Sequence, residues 1–304
     1  MQKARGTAFL AIIAIGAVGC VSAPKRIAGI PHDYVRTPNG IFHRSCVRTV
    51  AQGDRIDDQG NVTHVNGTRE KLPQCTHPRL DAATLQPLRS SELPPPTGTS
   101  WVEYASWQAD AQVNVGALTA TFTVPQAPSA PGGLIYLFPG LISAMSPPNT
   151  ILQPVLESGP CDTGSGNCWT ASSWYCCPGS GPTHTEPFSV NADDVIVGKI
   201  TCSGVPCTWS VEITDSTTGV SAVLMPVTNT GFPIVLGGVL EQYNIQSCGQ
   251  YPATGQTAFD VALTDQSGNP LQPIWSPTIV GTLPPCAYNV LPSTPAPGKV
   301  TLIY

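Results

Sequence analysis

Charged side chains are scarce in this 304-residue sequence. Asp, Glu, Lys and Arg make up 11% of it, against roughly 25% in an average soluble domain. Hydrophobic residues reach 41%, which excludes a highly charged disordered chain without a core. The net charge of −5 offers no basic surface, so no nucleic acid is expected as a partner. Helical periodicity is also missing, since no segment sustains an apolar repeat of 3.6 residues. The 32 prolines and 29 glycines are scattered without a period. That excludes a collagen-like repeat and argues against long helices. No C-x-x-C pair is present, so a zinc site lacks its usual ligands. G-x-S-x-G, H-E-x-x-H and P-loop motifs are absent as well. Beyond residue 95 there is one histidine, His184, in a turn-like stretch that reads as a surface loop. Ser–His or Cys–His catalysis would have to use it. Neither metal nor cofactor is expected.

The N-terminus sets a compartment. Lys3 and Arg5 precede an apolar run over residues 8–18, of signal-peptide length and too short to span a membrane. It ends in Ala17-Val18-Gly19-Cys20, which resembles a bacterial lipobox with Cys20 as the lipidated residue. The chain is then exported, extracellular or periplasmic, and touches a membrane only through a lipid anchor. Ordinary secretion is the alternative. Removing Cys20 leaves ten of the eleven cysteines. An even number in an exported chain implies disulfides. Cys46 with Cys75 and Cys202 with Cys207 are the local candidates. Adjacent Cys176 and Cys177 read as ends of two separate bridges.

The charge is unevenly placed. Residues 1–95 hold twelve Lys and Arg against seven acids, and residues 96–304 hold two against twelve. The balances are +5 and −10. Pro94-Pro95-Pro96 marks a stiff boundary. The organisation is a signal peptide over 1–20, a small basic region over 21–95 and an acidic body over 96–304. The contrast reads either as chance surface charge on two domains or as a basic pro-segment that docks on the body and detaches when carboxylates protonate. The basic region's turn signals, Gly53-Asp54, Gln59-Gly60-Asn61 and Asn66-Gly67, suggest a small β-rich unit stapled by Cys46 and Cys75.

The body reads as all-β. Residues 118–124, 209–213 and 259–263 alternate apolar and polar between Gly, Pro, Asn and Asp turns, the signature of a sandwich or barrel. Two further strands carry the chemistry. In residues 150–157, Leu152, Pro154 and Leu156 share one face, with Gln153, Val155 and Glu157 on the other. In residues 236–243, Leu236 and Leu240 share one face, with Glu241 and Tyr243 on the other. If the leucines pack inward, Gln153, Glu157, Glu241 and Tyr243 project from an open, solvated face.

The order of segments resembles the eqolisins, glutamic endopeptidases on a concanavalin A-like β-sandwich. Trp101 and the strand ending in Val124-Pro125 are similar to that family's opening Trp and Val-Pro strand. Ile151-Leu152-Gln153 is similar to its Ile-Leu-Gln. Ser172-Ser173-Trp174-Tyr175 falls where it has a Trp/Tyr-rich strand, and Thr217-Thr218-Gly219 where it has a Thr-Thr-Gly hairpin. Val239-Leu240-Glu241-Gln242-Tyr243 resembles its apolar-apolar-Glu-Asp-aromatic strand. One segment departs: the family's Trp-Val-Gly-Ile-Asp-Gly appears as Ile135-Tyr136-Leu137-Phe138-Pro139-Gly140. The resemblance implies a concanavalin A-like (jelly-roll) β-sandwich, catalytic Gln153 and Glu241, and Glu157, Tyr243 and Trp174 in the cleft. It implies a polypeptide substrate, and a monomer is expected.

The chemistry suits acid. Glu241 can serve as general base and then general acid, while the Gln153 amide supplies a donor that does not titrate. A body with so few charged residues has few ion pairs to lose on acidification. Two rivals use the same sandwich. A glycoside hydrolase would pair Glu157 with Glu241. A carbohydrate-binding module would use the tryptophans as a stacking platform.

Overall fold

The computed structural model describes residues 29–82, 84–88, 100–143, 150–161, 166–177, 179–204, 207–228, 230–281, 284–293 and 298–304. The signal segment, Cys20 and the triple proline lie outside these residues. Six short strands come first: β1 Tyr34–Thr37, β2 Gly40–His43, β3 Arg48–Val50, β4 Arg55–Asp57, β5 Asn61–Thr63 and β6 Arg69–Lys71. The body contributes β7 Trp101–Gln108, β8 Val115–Thr123, β9 Leu134–Ile142, β10 Ile151–Pro160, β11 Asn167–Cys176, β12 Thr183–Thr185, β13 Phe188–Val190 and β14 Val195–Ser203. It continues with β15 Thr208–Asp215, β16 Ser221–Val227, β17 Ile234–Tyr243, β18 Gln256–Asp265, β19 Ser276–Ile279, β20 Asn289–Ser293 and β21 Gly298–Ile303.

The strands form a sandwich. One sheet runs β19-β7-β17-β9-β10-β11-β12-β3, with β13 also on β11, and the other runs β20-β21-β18-β8-β14-β15-β16-β4-β5-β6. The inward side chains close one core. Leu137, Leu141, Leu152 and Leu156 from the first sheet meet Leu118, Phe122, Ile196, Ile200 and Val211 from the second. The alternating segments of the sequence therefore become strands with one face buried.

Residues 29–88 are built into both sheets. β3 lies parallel to β12 and β4 parallel to β16, while the β1–β2 hairpin stands apart as a two-stranded unit. The turn signals hold: Asn66-Gly67 falls in the β5–β6 turn and Gln59-Gly60 in the β4–β5 turn. Five disulfides pair all ten cysteines after Cys20. Cys46–Cys75 and Cys202–Cys207 are as the spacing suggested. Cys161–Cys168 and Cys248–Cys286 complete two more. Cys176 pairs with its neighbour Cys177 rather than with two distant partners.

Candidate active site

Three central strands of the first sheet, β9, β10 and β17, set the site. On β10 the alternation holds. Leu152 and Leu156 enter the sandwich core, and Val155 joins a second cluster on the outer face. On β17 it does not. Leu236 lies with Val239 and Tyr243 on the outer face, whereas Val235 and Leu240 point inward. The cause is a bulge, a register shift against β9 between Leu236 and Val239. It falls on Gly237 and Gly238, where the core leaves no room for side chains. A Cβ on Gly238 would come 2.6 Å from Phe259, and one on Gly237 2.7 Å from Val300. An extra residue in the strand resets the faces beyond it, so Glu241 and Tyr243 keep the expected side while Leu236 changes to it.

That outer face is not open. Ile41, Phe42 and Leu80 of the preceding segment pack on Trp101, Tyr136, Phe138, Val155, Trp174, Leu236 and Tyr243. Gln153 and Glu241 are 0% exposed, and Tyr243 and Trp174 are 4% and 5% exposed. Alternation identified the polar side chains, but it carries no sign of what covers them.

Glu241 is held at both oxygens. Ser100 Oγ donates to its Oε1 at 2.6 Å, Tyr243 OH lies 2.8 Å from the same oxygen, and Trp101 Nε1 donates to Oε2 at 3.0 Å. Gln153 accepts from Asn39 Nδ2 at Oε1 (2.9 Å) and donates through Nε2 to the Pro38 carbonyl (3.3 Å). Gly140 lies beside it, and a Cβ there would stand 3.6 Å from Gln153 Cγ. Tyr243 OH reaches the Thr37 carbonyl at 3.1 Å, and Tyr136 OH the Arg36 carbonyl at 3.3 Å. Tyr136 went unnoticed in the sequence. The only signal was its place in the segment that departs from the family pattern.

Gln153 and Glu241 do not bond to each other. Glu241 stands opposite Tyr136 of β9, while Gln153 follows the Leu152–Leu141 pair. Their strands flank β9, and their positions along it differ by about 13 Å at the usual strand rise. Residues 37–39 bridge the interval. Glu157 and Glu241 are level instead, each opposite Tyr136 from either side.

Burial governs the titration of these groups. It pushes Glu241 up to about 7, against the Ser100 and Tyr243 hydrogen bonds, the Arg79 guanidinium and the Trp101 indole. It also pushes Glu157 up to about 7. The Tyr136 and Tyr243 phenols are raised well above their ordinary value by burial and by neighbouring acids, so both remain neutral donors.

The remaining candidates resolve as follows. His184 is not on a surface loop but in β12, its ring stacked 4.3 Å from Trp174. Thr49 Oγ1 lies 3.3 Å from its Nε2. Trp101, Trp169, Trp174, Trp209 and Trp275 are buried, which leaves no exposed platform among them. No group of three or more His, Cys, Asp or Glu among the described residues could hold a metal.

Comparison with solved structures bears on the fold. The chain is similar to scytalido-glutamic peptidase in complex with a peptide-based transition-state analogue. The TM-score is 0.50 at 15% identity, over 67% of this chain and 98% of that one. It is also similar to SCP-B, a member of the eqolisin family in complex with the tripeptide Ala-Ile-His, with TM-score 0.46 and 16% identity over the same shares. No protein-family model and no curated protein matches. At 15% identity the likeness to scytalido-glutamic peptidase establishes the β-sandwich fold alone, as the order of sequence segments implied.

Proposed function

We propose that the protein is an acid-acting endopeptidase of glutamic type, exported and either lipid-anchored at Cys20 or freely secreted, with residues 21–95 as its pro-segment. One observation carries the reading: Gln153 and the Glu241–Tyr243 pair close on a stretch of polypeptide backbone, residues 37–39. The likeness of the fold to peptidase structures supports a polypeptide substrate, and five disulfides support export.

In the opened cleft the Glu241 carboxylate takes a proton from a water whose oxygen attacks the carbonyl carbon. It returns that proton to the leaving nitrogen as the C–N bond breaks. Gln153 offers its amide N–H to the chain without titrating. Under the covering segment Glu241 is a neutral acid at low pH. Opening the cleft rehydrates it and lets its pKa fall toward the ordinary 4.5, which restores a base in mild acid.

The test uses residues 21–304 with disulfides formed, incubated from about pH 2 to about pH 7. Cleavage near Pro94–Pro96 and digestion of a denatured protein in acid are expected, and both are lost in Glu241→Gln. An intact, inert protein at every pH refutes the reading. A glycoside hydrolase draws on a separate observation, the level placement of Glu157 and Glu241 across Tyr136. Release of reducing sugar from a glycan panel would establish it instead.

A further inference from the structure

Three consecutive carbonyls of the covering segment are each met by a different strand of the body. Tyr136 OH of β9 donates to the Arg36 carbonyl at 3.3 Å. Tyr243 OH of β17 donates to the Thr37 carbonyl at 3.1 Å. Gln153 Nε2 of β10 donates to the Pro38 carbonyl at 3.3 Å. None of these bonds uses a side chain of residues 36–38, and the Thr37 hydroxyl turns back to the Gly40 carbonyl at 3.0 Å. The body thus grips main chain, which every polypeptide presents alike.

We propose that Tyr136, Tyr243 and Gln153 form a carbonyl ladder that binds polypeptide substrates through the backbone, and that the Tyr243 hydroxyl serves the carbonyl that reacts. The inference rests on the peptidase reading above, gives Tyr243 a catalytic role there and adds Tyr136. The middle rung is singled out by its neighbour, since Tyr243 OH also lies 2.8 Å from Glu241 Oε1. The phenol has one proton to give: as Glu241 takes the proton of the water it no longer needs that donor, and the hydroxyl turns to the carbonyl oxygen where charge develops during attack. No proton leaves it. The water proton still passes to Glu241 and on to the leaving nitrogen. Tyr136 serves the preceding carbonyl and acts in binding. Residues 36–39 occupy the ladder as a substrate would.

The test is a pair of conservative variants, Tyr243→Phe and Tyr136→Phe, in the full exported chain after acid activation. Removing an aimed donor commonly lowers kcat by about 10²-fold, and that loss is expected for Tyr243→Phe. Tyr136→Phe should raise KM by roughly five- to tenfold with kcat unchanged, as for a bond made equally in ground and transition states. Each factor should be the same for peptides of unlike sequence. A loss confined to one sequence overturns backbone reading, and unchanged kinetics in both variants overturns the ladder. Hydrogen exchange at the Asn39 and Gly40 amides gives a readout without activity. It should quicken in both variants by roughly five- to tenfold, the worth of one hydrogen bond. Quickened exchange with no hydrolysis by the parent protein rejects the peptidase and keeps the ladder. Unchanged exchange rejects the ladder itself.

Discussion

Raising the pH should unfold this protein from a carboxyl group that takes no part in the site. Glu103 sits on β7 paired with Leu240 and is 0% exposed. Neither oxygen has a side-chain partner. Burial pushes it up to about 8, only partly opposed by the backbone N–H groups of Asn289 and Ile303. The unfolded chain titrates near 4.5. Between those values the folded state holds a proton that the unfolded state has lost, so stability falls as pH rises. The contribution is fully present below 4.5 and gone above 8. At about 1.4 kcal/mol per pH unit the loss comes to about 5 kcal/mol at most. For a chain of this size that is roughly 10–20 °C in Tm. Glu103→Gln removes the titrating proton and keeps the shape. Thermal melts between about pH 4 and about pH 9 should show a falling Tm for the parent and a much flatter curve for the variant. A parent curve without slope, or an equal slope in Glu103→Gln, refutes the argument.

Other consequences concern the segment over the cleft. Phe42→Ala removes a ring buried among Trp101, Phe138 and their neighbours, and should loosen the segment by about 3 kcal/mol, read as faster hydrogen exchange in β1–β2. Gly181→Ala should part β3 from the body. Its φ is +101°, and a Cβ would lie 2.2 Å from the Cys46 carbonyl oxygen, so limited proteolysis should cut residues 29–88 while the sandwich stays whole. Glu241→Gln should abolish any rise in protection of the β1–β2 turn between about pH 7 and about pH 4.5, the window set by its raised pKa.

The fold was legible because alternation with period two survives in β8, β15 and β18, where each strand needs only one buried face. The polar sides of β10 and β17 were legible in the same way, but the choice of Gln153 and Glu241 among them came from the family resemblance. Leu236 was misassigned because a bulge at Gly237-Gly238 answers to Phe259, Trp275 and Val300, which arrive from other strands. Sequence pattern along β17 holds no trace of them. The covering of the outer face was hidden for a related reason. Ile41, Phe42 and Leu80 are separated from β17 by more than 150 residues, and their apolar side chains fit a small core of their own equally well. Glu103 drew no notice, since a lone acid in an alternating strand reads as solvated. Tyr136 shows that a departure from a family pattern can be a place to look for function.

The contrast of a basic N-terminal region with an acidic body invites the view that acid ejects the one from the other. The contacts argue otherwise. Among the described residues, no ion pair within 4.0 Å joins residues 29–88 to the body; the pairs found lie within one or the other. Backbone bonds do the joining, such as Gly53 N–H to the Val223 carbonyl at 2.8 Å and Arg48 N–H to the Pro182 carbonyl at 2.9 Å. Side chains join as well: the Asp58 carboxylate accepts from the Tyr175 and Thr228 hydroxyls of the body. Glu241, raised by burial under the segment, binds its proton more tightly when covered, so acid tightens the cover through it. His184 pulls the other way. Its pKa is lowered by burial, against the Thr185 carbonyl and Glu186, and a proton on Nε2 would remove the acceptor facing Thr49. The imidazole and the carboxyl pull in opposite directions, so on the pro-segment reading acid does not by itself clear the cleft. A cut in the connecting chain must make opening irreversible, and acid would act chiefly by supporting the activity that makes that cut.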